Sequence, residues 1–202
     1  MQYIDLTQTF GPKMPVYPGD PQSELKQITT IEKDGFTDHQ LNTAMHVGTH
    51  MDAPLHMIAG GKRISEIGLD KFFGQGHLID ARGKEKIDVD VLAGVEPGDI
   101  VLVLTGFSEK FHDADYYGKY PQLTEAFANK LVELKVSMVG MDTPSPDREP
   151  FVVHKVLLSQ EILIIENLTN IEQLVGQSFE VMALPLKLEA DAAPVRVLAR
   201  VF

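Results

Sequence analysis

Residues 46 to 56 read His46-Val47-Gly48-Thr49-His50-Met51-Asp52-Ala53-Pro54-Leu55-His56, placing three imidazoles and a carboxylate in one short stretch. Imidazole and carboxylate together suit a divalent ion such as Zn²⁺ or Mn²⁺. Three protein ligands leave a coordination position for water, the pattern of a catalytic ion rather than a structural one. The chain contains no cysteine, which removes thiolate ligands, disulfides and a thiol nucleophile. Any metal must therefore be held by nitrogen and oxygen.

The spacing of His46 and His50 would suit one face of a helix, but Gly48 and Thr49 are weak helix formers and Pro54 drives Ala53 toward extended geometry. In extended chain, His46, His50, Asp52 and His56 all occupy even positions and project from one face. An extended run from His46 to Asp52 would span about 20 Å at about 3.3 Å per residue, too far for the ligands of one ion, so the segment must curl. Gly48 supplies the bend and Pro54 stiffens the exit. Any one of these histidines reads most simply as a half-buried group bonded to backbone, whereas four groups on one face read as a ligand strip.

The elements that must carry this strip are short. Tyr3 to Leu6, Leu25 to Ile31 and Phe36 to Met45 have β-branched or alternating apolar positions, and Pro18-Gly19-Asp20 and Asp34-Gly35 punctuate them; they read as antiparallel strands. Gly76 to Asp80, Ile100 to Thr105, Val136 to Met141 and Ile162 to Glu166 are apolar runs typical of buried strands. Ser178 to Leu184 and Val195 to Val201 supply the last strands. Helical periodicity falls between them: Thr124 to Leu134, with Phe127, Leu131 and Leu134 on one side and Thr124 as cap, then Phe151 to Leu158 and Asn170 to Val175. Strands alternating with helices after a strand-rich start predict a single α/β domain over residues 1–202, with a mixed β-sheet core and flanking helices.

Composition sets the outer bounds. The chain has 202 residues, 44% hydrophobic and 23% charged, with a net charge of −11. No Lys/Arg cluster in the sequence breaks the acidic balance, so nucleic acid and anionic membranes are poor partners. No apolar run approaches the roughly 20 residues of a membrane span, and no basic-then-apolar leader is visible, so the expected location is cytoplasmic.

The string His46-x-Gly48-Thr49-His50-x-Asp52-x-Pro54-x-His56 resembles the signature of the cyclase-family metal hydrolases, which include bacterial kynurenine formamidase (arylformamidase) and isatin hydrolase. The resemblance continues through Met14-Pro15-Val16-Tyr17-Pro18-Gly19-Asp20, Leu104-Thr105-Gly106, Gly140-Met141-Asp142-Thr143-Pro144-Ser145, His154-Lys155-Val156-Leu157-Leu158 and Ile165-Glu166-Asn167-Leu168. It implies a swivelling β/β/α-like fold and a homodimer or higher oligomer, with pocket residues that a neighbour could lend. It also implies two divalent ions: one on His46, His50 and Asp52, the other on Asp52, His154 and Glu166, with His56 as the acid/base. From the residues alone, His154 reads as a core or capped histidine and Glu166 as a strand-end carboxylate. A carboxylate ending so apolar a run is nevertheless costly to bury unless something positive meets it.

The expected chemistry is metal-assisted hydrolysis of a small amide, formamide or lactam, in the manner of N-formylkynurenine giving kynurenine and formate. His56 would pass a proton to the departing nitrogen, with a role as fourth ligand as its alternative. Tyr17 stands where the formamidase branch typically carries a tryptophan that stacks on the aryl group, and this chain has no tryptophan. Tyr17 and Phe107 are the candidate substrate-binding aromatics, although Phe107 reads equally well as core. Asp142, Ser145 and Asp147 could shape the pocket but read more simply as a turn after a strand. A Ser-His-Asp centre around Ser145 and Asp147 lacks the Gly-x-Ser-x-Gly elbow. A binding module on the same scaffold, without turnover, is the alternative from a different class.

Overall fold

Ile100, Leu102 and Leu104 pack into one hydrophobic cluster while Val101 and Val103, between them in sequence, pack into another. Successive side chains of a strand leave opposite faces, so a strand buried on both sides reads as an unbroken apolar run. This alternation organises the whole molecule, seen in a computed structural model that describes residues 1–202.

Twelve strands are present: β1 (Gln2–Asp5), β2 (Glu24–Thr29), β3 (Asp38–Asn42), β4 (His50–Asp52), β5 (Phe73–Asp80), β6 (Lys86–Ile87), β7 (Ile100–Leu104), β8 (Gln122–Leu123), β9 (Met138–Met141), β10 (Leu163–Glu166), β11 (Phe179–Pro185) and β12 (Ala192–Val201). Three α-helices accompany them: α1 (Ile31–Asp34), α2 (Glu125–Leu134) and α3 (Val152–Ser159). The main sheet runs β1-β12-β11-β5-β7-β9-β10-β4, and β4 also pairs with β12. That last pairing closes seven strands into a barrel, with β1 added along β12. The sheet is mixed: β5, β7, β9 and β10 are parallel neighbours, and the other pairings are antiparallel.

The barrel interior holds Ile100, Leu102, Leu104, Met138, Leu163, Ile165, Phe179 and Val197 among its buried residues. The second cluster lies outside, where Val101, Val139, Met141 and Ile164 meet Phe127 and Leu131 of α2 and Leu157 and Leu158 of α3. Burial of each such side chain contributes about 1.5–3 kcal/mol. The Thr124 hydroxyl accepts the Phe127 N–H at 3.1 Å and starts α2 as its sequence predicts. No helix is long and apolar enough to cross a membrane.

Several boundaries differ from the sequence reading. Residues 171–174 form a single 3₁₀ turn, too short for the expected helix. The strand expected to reach Ile31 stops at Thr29, and Ile31 opens the one-turn α1 at the tip of the β2–β3 hairpin. The last strand starts at Ala192 rather than Val195, because Ala192, Ala193 and Pro194 pair with β4. That hairpin is a two-stranded arm of its own, and Ile28, Ile31, Phe36 and Leu41 on it are all exposed.

Gly76 of β5 lies opposite Phe179 of β11, and a Cβ built there would fall 2.0 Å from the ring. Gly76→Ala must therefore displace the ring inside the barrel and is expected to cost about 1–3 kcal/mol in urea unfolding. An unchanged midpoint would contradict this packing.

Candidate metal centre

The site grows out of the register between β4 and β10. Glu166 pairs with His50 and Ile164 with Asp52, while Met51 and Ile165 turn inward to the barrel core. His50, Asp52 and Glu166 therefore share the outer face, and all three are buried. Helix α3 covers this face and contributes His154, 2% exposed, beside the core residues Val153 and Leu157.

Only residues 50–52 of the histidine strip are extended. Gly48 sits at φ +66°, in the left-handed region, and a Cβ there would lie 2.7 Å from Met14 Cε. Pro54 opens a 3₁₀ turn that ends at His56. The curl required by the spacing is thus made by a bend before β4 and a turn after it, which bring His46 and His56 back to Asp52.

Asp52 is the centre of the cluster. His46 Nδ1 lies 3.0 Å and His50 Nε2 3.5 Å from its Oδ1, and His154 Nε2 lies 3.8 Å from its Oδ2. Glu166 stands 3.3 Å from both His50 Nε2 and His154 Nε2. Despite this crowding, His50 Nε2 and both Asp52 oxygens are buried without a hydrogen-bond partner. Polar atoms that converge without bonding one another are costly unless a cation takes up their lone pairs. The donor set, imidazole and carboxylate without sulfur, fits a divalent metal. His46, Asp52 and His56, and likewise His50, Asp52 and Glu166, each bring one ligand atom within 4.8 Å of the others.

Asp191, absent from the sequence reading of the site, and Asp147, read there chiefly as part of a turn, hold the imidazoles from behind. Asp191 Oδ2 lies 2.9 Å from His46 Nε2 and 3.2 Å from His56 Nδ1. Asp147 pairs with His154 Nδ1 and accepts the Val153 N–H at 2.7 Å. Carboxylates of this kind orient metal-binding histidines and make them better ligands. Asp191 precedes β12 and gives no local signal; it arrives because β12 closes the barrel against β4. Asp147 does more than terminate a turn. Asp142 is structural: it accepts the Thr105 and Gly106 N–H groups and the Thr105 hydroxyl. A serine triad is not assembled, because His154 turns Nε2 toward Glu166 and Asp52.

The cavity over this centre is about 370 Å³, and Tyr17, Tyr117, Met57, Pro144 and Phe151 are among its walls. Tyr17 meets Tyr117 edge-on, with ring centroids 5.7 Å apart. Phe107 does not reach this cavity. It is buried and stacked on Tyr116 at 5.3 Å, because the turn after Gly106 folds it into an aromatic cluster, and its edge lines a separate groove.

Charge follows geometry. Burial alone would lower the pKa of His46, but Asp52 and Asp191 outweigh it and raise the value to about 10. For His154, burial is outweighed by Asp147 and Glu166, again giving about 10. Burial favours the neutral acids of Asp52 and Glu166, yet the surrounding imidazoles hold both below the usual carboxylate range. His56 moves the other way: burial, with His46 and His154 nearby, pushes it down.

A mixed barrel carrying a buried His/Asp/Glu cluster under a small cavity defines this as a protein with a divalent-metal centre. The chain belongs to the family described as putative cyclase, whose model matches residues 4–148. That stretch includes His46 to His56 and Asp147; His154, Glu166 and Asp191 follow it. An uncharacterized protein of Methanocaldococcus jannaschii is 36% identical, covering 98% of this chain and 99% of that protein. Kynurenine formamidase of Bacillus mycoides is 29% identical, covering 98% and 97%. A solved structure described as a predicted metal-dependent hydrolase from Bacillus stearothermophilus has a TM-score of 0.82 at 31% identity, covering 98% of this chain and 97% of that one.

The raised pKa values have a consequence for metal binding. Protons on His46 and His154 stabilise the cation-free fold below the ordinary value of 6.5, and this contribution is lost as pH rises through about 10. An ion that took these imidazoles as ligands would expel those protons. Apparent affinity for Zn²⁺ or Mn²⁺ should therefore rise about tenfold per pH unit for each proton displaced, between about pH 6 and 8. Calorimetry in buffers of different ionisation enthalpy would show the released protons; an affinity flat with pH would contradict this.

Proposed function

We propose that this protein is a metal-dependent amidohydrolase that cleaves a carbon–nitrogen bond outside peptides, in a small formamide, lactam or related amide. The observation that carries the reading is the buried Asp52 carboxylate, with both oxygens unbonded among converging imidazoles. We assign His46, His50 and Asp52 to one divalent ion, and Asp52, His154 and Glu166 to a second, each Zn²⁺ or Mn²⁺. Ions held there supply Lewis acidity, which makes water acidic near neutral pH and polarises a carbonyl.

The side chains of the chain do the rest. Asp191 holds His56 by Nδ1 and leaves Nε2 as the atom that takes a proton from water and delivers it to the departing nitrogen. The same carboxylate braces His46, so one side chain sets the angle of a ligand and of the proton carrier. Tyr17, Tyr117 and Phe151 give the cavity aromatic walls suited to an aryl group, and its volume admits a single small substrate. Cleavage of N-formylkynurenine to kynurenine and formate is the first reading, supported by the kynurenine formamidase relative. Cleavage of a cyclic amide such as isatin is the second reading, because tyrosine at position 17, in a chain without tryptophan, departs from the formamidase pattern.

A panel of N-formyl aryl amines, isatin and cyclic imides tests both. Chelation is expected to abolish turnover and added Mn²⁺ or Zn²⁺ to restore it. His56→Ala should keep its metal and lose at least about 100-fold in kcat, and Asp191→Asn should lose about 10- to 100-fold. Full activity after metal removal, or tight binding without product, would overturn the hydrolase reading.

The arm supports assembly as a homodimer. An isolated two-stranded hairpin is marginal in water, and this one leaves Ile28, Ile31, Phe36 and Leu41 exposed. A second copy seated on the arm would cover them. Light scattering should give twice the chain mass for the wild type, and Ile31→Asp/Phe36→Asp should shift it toward the monomer; a monomeric wild type would refute the assignment.

A further inference from the structure

A second cavity, a groove of about 520 Å³, shares no lining residue with the metal-site cavity. It gathers Lys84, Lys86, Lys110, Lys119 and Arg148, five of the chain's eighteen lysines and arginines, against a single lining carboxylate, Glu85. In a protein of net charge −11, such a concentration works against the overall field. The sequence hides it, because these positions lie in segments about 20 to 30 residues apart that the fold draws together.

The groove is built as well as charged. Arg82, Arg196 and Arg200 each grip a carboxylate at 2.5 to 2.7 Å, whereas Arg148 grips none. Its guanidinium lies 4.3 Å over the Tyr120 ring, with Nε and Nη2 buried and without an acceptor. Tyr120 is fixed in turn by its hydroxyl, which donates to the Asp147 carbonyl at 2.9 Å. Lys110 Nζ stands 5.4 Å from the Phe107 ring. Of the four lysines, only Lys84 is tied up, by Asp90 at 2.8 Å. A planar donor fork stacked on an aromatic ring and flanked by free ammonium groups suits a compact oxyanion.

We propose that this groove is a binding site for a small organic dianion, phosphate- or carboxylate-bearing, with an aryl or similar flat body that rests on the Tyr120 and Phe107 edge. The site is independent of the hydrolytic reading. It borders the metal-site architecture through Tyr120, whose hydroxyl donates to the Asp147 carbonyl, and through Asp147 itself, which precedes Arg148 and pairs with His154.

The test is calorimetric titration of the metal-loaded protein with phenyl phosphate and, separately, with phthalate. Saturable binding of either at millimolar concentration or below is expected, and which probe binds more tightly identifies the anion class. Arg148→Gln should weaken it at least about tenfold with metal content unchanged. Lys110→Gln/Lys119→Gln, two exposed positions remote from the imidazoles, should weaken it likewise and guards against a misfolded Arg148 variant. No saturation by either probe, affinity unchanged in the lysine variant, or binding that disappears only when metal is stripped would overturn the proposal; the last result would place the anion at the metal centre.

Discussion

A carboxylate with no exposed surface is the constraint on which the rest of this structure depends. Asp52 ends the short strand β4, paired on both sides, with both oxygens facing imidazole nitrogens that do not bond to them. Burying an ionised carboxylate costs several kcal/mol unless opposite charge repays it. Here repayment comes from a ring of basic nitrogens that protons or a divalent ion can turn positive. The four histidines, Glu166 and the outer carboxylates Asp147 and Asp191 are arranged around that one requirement.

The barrel solves the placement by parity. Residues of β4 and β10 that face inward, Met51, Leu163 and Ile165, belong to the apolar interior. Their neighbours Asp52, His50 and Glu166 face outward, where α3 lays His154 across them. A one-residue slip of β4 against β10 would send these polar side chains into the hydrocarbon core and Met51 to the site. Packing of the interior therefore enforces the geometry of the metal centre. β4 also closes the ring by pairing with β12, so barrel closure is the event that delivers Asp191 to His46 and His56.

Charge is partitioned as firmly as apolar surface. Four carboxylates, Asp52, Asp147, Glu166 and Asp191, gather at the histidine cluster, while several unpaired basic groups collect in a separate groove. Asp147 and Arg148, adjacent in sequence, serve the two sites: one steadies His154, and the other leans on Tyr120.

The histidine strip was legible in the sequence as a cluster that could bind a metal because its residues are local and chemically unusual: three histidines and an aspartate with Gly48 and Pro54 to bend them. The buried strands were legible too, since a strand covered on both faces writes itself as an apolar run, and Thr124 announced α2. His154 and Glu166, read alone, looked like a core histidine and a strand end; only the resemblance linked them to the strip, because their meaning lies in strand register and helix packing. Asp191 and the basic groove left no local trace. Phe107 carried the right chemistry in the wrong place, because the direction of the chain after Gly106 is fixed by the aromatic cluster it joins. Sequence determined which groups could bind a metal, through residue type and short spacing. Tertiary structure alone decided which distant groups would meet them, because closing a barrel joins residues separated by more than a hundred positions.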